Sequence, residues 1–463
     1  MTSNIILNTD SYKYSQFNQY PPNTEKVFSY IESRGSRGGL YDKTVFFGLQ
    51  MFLKEYLSKP ITLDQIDEAE EIVTLHGLPF NREGWEYILK EYSGYLPLII
   101  RAVKEGSIIP TKNLLVSVEN TDTKCAWLTS FMETAILRAV WYPTTVATYS
   151  WYMKQLILQY LDKTGTPESI DFKLHDFGFR GVSSKESAGI GGLAHLVNFQ
   201  GTDTMEALLY ARKYYNCDMA GFSIPATEHS TITSWGREGE ADAYENFLDK
   251  YAQEGKIIAC VSDSYNIYDA CEKIWGEQLK QKIIDSGATL VVRPDSGYPP
   301  EVVMQCLYTL DSKFGHTIND KGYKVLNNVR LIQGDGISYE IVMHILDRME
   351  SAGFSADNIA FGQGGGLLQA HDRDTLKFAM KCSAILVDGE WRDVYKQPIT
   401  DMGKESKKGL IDLYIRDGEY ITDRVFNPEN TVSQTHVVYA GGFVEYNETN
   451  LEAVRKLAQR MSN

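Results

Sequence analysis

The chain predicts an α/β protein with a barrel-like β/α fold. Three observations carry this. Beyond residue 170, Lys173-Leu174-His175-Asp176 and the stretches 258–263, 290–295 and 331–335 are apolar runs that each end in an aspartate. Such runs read as strands buried on both faces. Helical patterns follow the later three, over 265–284, 301–310 and 339–350, and the strand ends are spaced by 32 residues (263 to 295) and 40 residues (295 to 335). That repeat implies a parallel sheet with right-handed crossovers. Last, the glycine-rich turn Gly362-Gln363-Gly364-Gly365-Gly366 comes late, after Ile359-Ala360-Phe361. An open dinucleotide-binding sheet needs its glycines after the first strand. A late cradle suits a barrel, whose last loops commonly hold phosphate.

Ahead of the barrel the patterning is mixed. An alternating strand over 26–32 runs into the loop Arg34-Gly35-Ser36-Arg37-Gly38-Gly39. Residues 44–58 and 62–76 read as amphipathic helices, 98–103 and 114–118 as strands, and 123–140 and 145–164 as two long helices whose aromatics pack a core. A further apolar run, 384–387, comes near the end. The expected domains are 1–165, an N-terminal α+β region with dimer contacts; 166–385, the catalytic barrel; and 386–463, a segment packing on the first.

Composition narrows the function. A chain of 463 residues has room for two or three domains, or one large barrel with attachments. Its net charge of -15 argues against nucleic acid or an anionic membrane as the main partner. No window approaches a membrane span and the start Met1-Thr2-Ser3-Asn4 is not a secretory signal, so a cytoplasmic protein is expected. The six cysteines form no Cys-x-x-Cys pair and the eight histidines no His-Glu-x-x-His, which disfavours zinc. Any metal is expected to be magnesium brought in with phosphates.

Parallel strands put their C-termini on one side, so Asp176, His229, Asp263, Arg293, Asp295 and Asp335 share a rim. His229 follows the apolar stretch Gly221-Phe222-Ser223-Ile224-Pro225 and reads either as a histidine at a turn or as an acid, base or nucleophile. Gly364, Gly365 and Gly366 free backbone N–H groups for an anion, with a helix expected from Leu367 and Arg373 two turns into it. Arg180 is a second anion contact. Phe177 is either a core aromatic or one wall of a flat pocket. Asp295 and Asp335 suit sugar hydroxyls or magnesium, and Asp203 reads as a turn residue, an N-cap or a ligand. The set fits a phosphorylated sugar joined to a flat ring.

These segments resemble the nicotinamide phosphoribosyltransferase family of type II phosphoribosyltransferases over nearly the whole chain. The matching motifs run from Asp10-Ser11-Tyr12-Lys13 and Gln19-Tyr20-Pro21-Pro22-Asn23-Thr24, through Gly201-Thr202-Asp203-Thr204, Glu228-His229-Ser230-Thr231 and Arg293-Pro294-Asp295-Ser296-Gly297, to Gln333-Gly334-Asp335-Gly336 and the glycine run. The resemblance implies transfer of phosphoribose from phosphoribosyl pyrophosphate to nicotinamide in NAD salvage, with nicotinate as the alternative base. It also implies an irregular β/α barrel with an additional α+β domain formed from the N-terminal and C-terminal segments, Mg2+, ATP as a co-substrate that phosphorylates His229, and a homodimer with shared active sites. By that resemblance Phe177 and the partner subunit's Tyr12 sandwich the base, Asp203 accepts from the carboxamide, and Ser223 joins the substrate-binding set. Arg180 and Arg293 lie by base and phosphates. Asp295, Gly334 and Asp335 address the ribose. Gly364, Gly365, Arg373 and, across the interface, the partner subunit's Arg34 and Lys381 address the 5′-phosphate, and Lys396 and Lys404 the pyrophosphate. Glu228 and Asp263 are expected to orient His229. Ala259 stands where relatives often carry serine in a tunnel lining.

Overall fold

The computed structural model describes residues 4–400, 405–429, 432–445 and 449–459, and Lys404 lies outside them. The chain divides into two compact units, one comprising 149–210 and 218–370, the other 1–148, 211–217 and 371–463.

The first unit is the barrel. Its six parallel strands lie in the order Gly201–Thr202, Leu174–Asp176, Ile359–Gln363, Val329–Gln333, Thr289–Arg293, Ile257–Val261. Leu331 faces Ile359 and Val292 in register, and Val261 faces Arg293. The two edges are joined by the segment 222–226, which is not a regular strand. At one end Phe222 N–H donates to Gln200 C=O at 2.7 Å; at the other Ala259 N–H donates to Pro225 C=O at 3.0 Å. Single bridges pair Gly201 with Phe222 and Ala226 with Ala259. The short apolar stretch before His229 is therefore the closing stave of an irregular barrel. Pro225 has no N–H to give a ladder, which keeps the stave to isolated bridges.

Crossover helices cover the outside, including Pro299–Phe314 and Tyr339–Ser351. Alternate strand residues point inward: Ala259, Val291 and Ile332 cluster with Phe177 and Ala360. Ala259, Val291, Ile332 and Ala360 line a cavity of about 520 Å³ that also takes in Lys173, His175 and Ser223.

The second unit is built on a seven-stranded antiparallel sheet whose central strands are Thr24–Ser33, Phe378–Val387, Leu114–Asn120 and Leu98–Ala102. Thr24–Ser33 pairs with Phe378–Val387, Tyr30 facing Lys381, so early and late segments share one sheet. The run 384–387 thus belongs here and not to the barrel, although an expected boundary at 385 put half of it there. A strand buried on both faces reads alike in either sheet; only its partner differs.

Two further expectations change. The helices expected over 123–140 and 145–164 are a short Ala126–Phe131 helix and one long helix, Glu133–Thr164, with Pro143 inside. The proline ring sits where a side chain on Gly48 would go: an added Cβ there would lie 2.3 Å from Pro143 Cγ. Thr145 Oγ1 donates to the Trp141 carbonyl at 2.6 Å, bonding a turn that the ring disturbs. The unit boundary at 148/149 falls within this helix, so no linker marks it in the sequence. The helix Arg82–Glu91, capped by Asn81 accepting from Gly84 N–H at 3.2 Å, has no counterpart among the expected elements.

Candidate active site

On the barrel unit the carboxyl ends of the strands gather the polar residues. Leu174–Asp176 delivers Phe177, whose N–H donates to Gln363 C=O on the neighbouring strand at 2.9 Å. The ring needs glycine beside it: a Cβ on Gly362 would lie 1.9 Å from Phe177 Cε2, and one on Gly334 3.1 Å away. Phe177 is therefore a wall with a built seat, packed on the inner apolar cluster. The Arg293 guanidinium lies 5.9 Å from the ring centroid, within reach of a cation–π attraction.

Asp203 follows the Gly201–Thr202 strand, its N–H bonded to the Asp176 carbonyl at 2.9 Å. Its Oδ1 meets His175 Nε2 at 2.9 Å and accepts from Ser223 Oγ at 2.5 Å. Burial pushes the Asp203 carboxyl up, but the His175 hydrogen bond and charge, Ser223 and Arg293 outweigh it and hold it below the usual range. An ionised, oriented carboxylate thus stands against His175, whose ring lies 5.1 Å from that of Phe177. His175 is the residue that sequence reasoning missed. Period-two spacing puts it on the same face of the strand as Phe177, and that was the available signal.

His229 is the first residue of the helix His229–Thr233. Its Nε2 meets Asp263 Oδ1 at 2.9 Å. The other Asp263 oxygen accepts from Asp295 N–H at 3.1 Å and Ser296 Oγ at 2.6 Å. One buried carboxylate therefore ties the histidine to the loop after the Thr289–Arg293 strand. Because a carboxylate only accepts, the imidazole proton sits on Nε2 and Nδ1 is left as the free lone pair. Glu228 accepts instead from Ser230 Oγ, at the start of the helix. Asp295 lies 3.6 Å from the Arg293 guanidinium. Asp335 and Arg180 are exposed.

Two expectations at the rim are corrected. Asp176 is fully buried, accepting from Gly178 N–H at 2.7 Å and Thr202 Oγ1 at 3.2 Å. It braces the loop that carries Phe177 and does not face the rim. The helix after the glycine run is a single turn, Gly365–Leu368, so Arg373 does not ride on it. The turn ends at Gln369, whose N–H folds back to Gly365 C=O at 2.8 Å.

The remaining basic residues lie in the antiparallel unit. Lys381 is depressed below the usual lysine range, first by burial and then by the Arg34, Lys396 and Arg373 charges, with Glu133 opposing. Four cations close enough to repel one another form a ready counter-charge for a phosphate group. Tyr12 is 58% exposed in this unit, an aromatic face open to a ligand or another chain. Among the described residues no three His, Cys, Asp or Glu side chains form a metal cage. Donors such as Asp295 and the exposed Asp335 suit a magnesium ion that arrives on a polyphosphate, keeping most of its ligands from there. No described helix is long and apolar enough to cross a membrane.

Comparison with known proteins is consistent with this geometry. The model of the nicotinate phosphoribosyltransferase (NAPRTase) family matches residues 172–442, and that of the nicotinamide phosphoribosyltransferase N-terminal domain matches 4–100. A nicotinamide phosphoribosyltransferase of Xanthomonas campestris is 57% identical over 422 residues, 90% of this chain and 89% of the relative. One of Acinetobacter baylyi is 32% identical over 98% of this chain and 97% of its own. Among solved structures, nicotinate-nucleotide pyrophosphorylase from Pyrococcus furiosus superposes with a TM-score of 0.63 at 14% identity, covering 99% of this chain and 95% of that one. Human nicotinic acid phosphoribosyltransferase gives 0.56 at 15% identity, covering 97% and 92%. Barrel, rim and relatives define a phosphoribosyltransferase, an enzyme of the pentosyltransferase class. The chain belongs to the nicotinate phosphoribosyltransferase (NAPRTase) family and begins with the N-terminal domain of its nicotinamide-named branch.

Proposed function

We propose that this enzyme transfers phosphoribose from phosphoribosyl pyrophosphate to nicotinamide, giving nicotinamide mononucleotide and pyrophosphate in NAD salvage. The observation that carries the choice of base is Asp203. Its carboxylate is held ionised by His175 and Ser223 beside the Phe177 wall. It accepts from a carboxamide NH2, whereas nicotinate would bring a second negative charge to the same place. The relatives named for nicotinamide support the same reading.

In this reaction the bond from C1′ to pyrophosphate breaks with its electron pair leaving on pyrophosphate, and the pyridine nitrogen forms the new bond to C1′. No covalent enzyme intermediate is needed; the protein positions the ring and stabilises charge. Phe177 fixes the plane of the base, Arg293 its phosphate side, and Asp295 with the Gly334–Asp335 loop receives the ribose. Gly364, Gly365 and Arg373, with the partner subunit's Arg34 and Lys381, take the 5′-phosphate, and Lys396 and Lys404 the pyrophosphate. A magnesium ion bound with the donor would supply counter-charge for the departing pyrophosphate, and Asp295 and Asp335 are the carboxylates that would help to hold it.

ATP phosphorylates His229 in this scheme. Nδ1 attacks the γ-phosphorus, the bond to the β-phosphate oxygen breaks, and ADP leaves. The active form is a cytoplasmic homodimer in which the partner subunit's Tyr12 covers the base. Mixing Tyr12→Ala and Phe177→Ala subunits then restores activity, whereas no rescue despite subunit exchange contradicts a shared site. The central experiment is product identification with phosphoribosyl pyrophosphate and each pyridine base, with and without ATP. The mononucleotide of nicotinamide is expected, formed faster with ATP; a product from nicotinate alone overturns the reading.

A further inference from the structure

Adjacent barrel strands end in two buried glutamines, Gln333 and Gln363, neither of which has yet been given a task. Gln333 Nε2 donates to the Asp335 carbonyl at 2.8 Å. Gln363 Nε2 donates to the Ile337 carbonyl at 3.0 Å and to Tyr149 Oη at 2.8 Å. The loop between, Gly334-Asp335-Gly336-Ile337, has glycine on both sides of the aspartate, with Gly336 at φ +66°. Such a loop has little stiffness of its own. The two amides hold it by its carbonyls.

Both amide oxygens are buried and, among the described residues, have no hydrogen-bond partner. Leaving an acceptor unpaired is costly. Turning either amide over would aim its oxygen at a carbonyl, so the donors dictate the orientation. Gln363 also joins neighbouring loops. Its main-chain carbonyl takes Phe177 N–H, and a Cβ on Gly366 would lie 2.8 Å from its Nε2.

We propose that Gln333 and Gln363 are positioning residues for the phosphoribosyl donor, fixing the Gly334–Ile337 loop through the Asp335 and Ile337 carbonyls. This rests on the phosphoribosyl-transfer reading above. They touch no reacting atom; they set where the Asp335 carboxylate stands when the ribose hydroxyls arrive.

The test is steady-state kinetics of the full-length enzyme with phosphoribosyl pyrophosphate and nicotinamide varied in turn. Gln333→Met and Gln363→Met keep approximate volume and remove the donor. Each is expected to raise the donor KM about tenfold, the worth of one buried hydrogen bond, with the nicotinamide KM changed less than about twofold. Gln333→Glu adds a readout that loss of packing would not give. Its protonated carboxyl still donates to the Asp335 carbonyl and its ionised form repels it, so its donor KM, relative to wild type, rises with pH. A parallel rise in both KM values, or an unchanged donor KM in folded variants, overturns the proposal alone. A flat pH ratio in Gln333→Glu does the same. Wild-type enzyme that makes no product from the donor overturns the functional reading and this inference together.

Discussion

The barrel rim uses one pairing twice with opposite exposure. In each case a histidine Nε2 lies 2.9 Å from an aspartate Oδ1. At the base pocket His175 is 14% exposed and Asp203 50%; beyond the closing stave His229 is 44% exposed and Asp263 5%. In the proposed reaction the less exposed member orients and the open member meets the ligand. Under that proposal the open carboxylate reads an amide and the open imidazole receives a phosphoryl group. Secondary bonds keep the roles apart. Asp203 is steadied by Ser223 on the closing stave, whereas Asp263 spends its second oxygen on the Asp295–Ser296 loop.

Breaking the open member of the second pair has the largest expected effect. His229→Ala abolishes acid-labile label from γ-labelled ATP, and label persisting in that variant contradicts the assignment. Asp263→Asn keeps the shape but no longer dictates which nitrogen bears the proton. Phosphorylation is expected to fall on the order of 10²-fold or more, as when a triad aspartate becomes asparagine. At the base pocket, Asp203→Ala lowers kcat/KM for nicotinamide by roughly 10²-fold and leaves nicotinate little changed. His175→Ala, which removes only the prop, costs about tenfold or less in the same ratio. If His175→Ala exceeded Asp203→Ala, the assignment of prop and reader would be reversed.

A third histidine sharpens the contrast because it has no carboxylate. His195 is fully buried, its Nε2 3.1 Å from the Leu174 carbonyl and its Nδ1 2.9 Å from Ser150 Oγ. Burial, helped by the His175 charge, pushes it down to about 3. The unfolded chain therefore takes up this proton first, at about pH 6.5. Stability is expected to fall as pH drops from about 6.5 towards 3, by on the order of a few kcal/mol from this group. Denaturant midpoints at pH 7 and 4.5 should differ in wild type, and differ less in His195→Asn.

The barrel was legible because its strands are apolar on both faces and end in charged residues, a pattern that repeats through 263, 295 and 335. Its closure was not, since 222–226 makes only bridges around a proline and has the composition of a loop. Motif resemblance named Asp203, His229 and Arg293 and offered Asp263 as the partner of His229, but said nothing of what holds Asp203. His175 lies inside a quoted motif and was passed over because a strand histidine looks like packing until its partner, 28 residues on, is seen beside it. Asp176 was misread for the converse reason. A terminal aspartate has the same letter whether it faces solvent or braces a turn.

The most direct measurement offers nicotinamide and nicotinate together, in equal amounts, to the intact enzyme with phosphoribosyl pyrophosphate, and compares the two mononucleotides formed. The expected result is a large excess of the amide product, shrinking in Asp203→Ala. Equal amounts from the wild-type enzyme would contradict the claim that an ionised Asp203 reads the base.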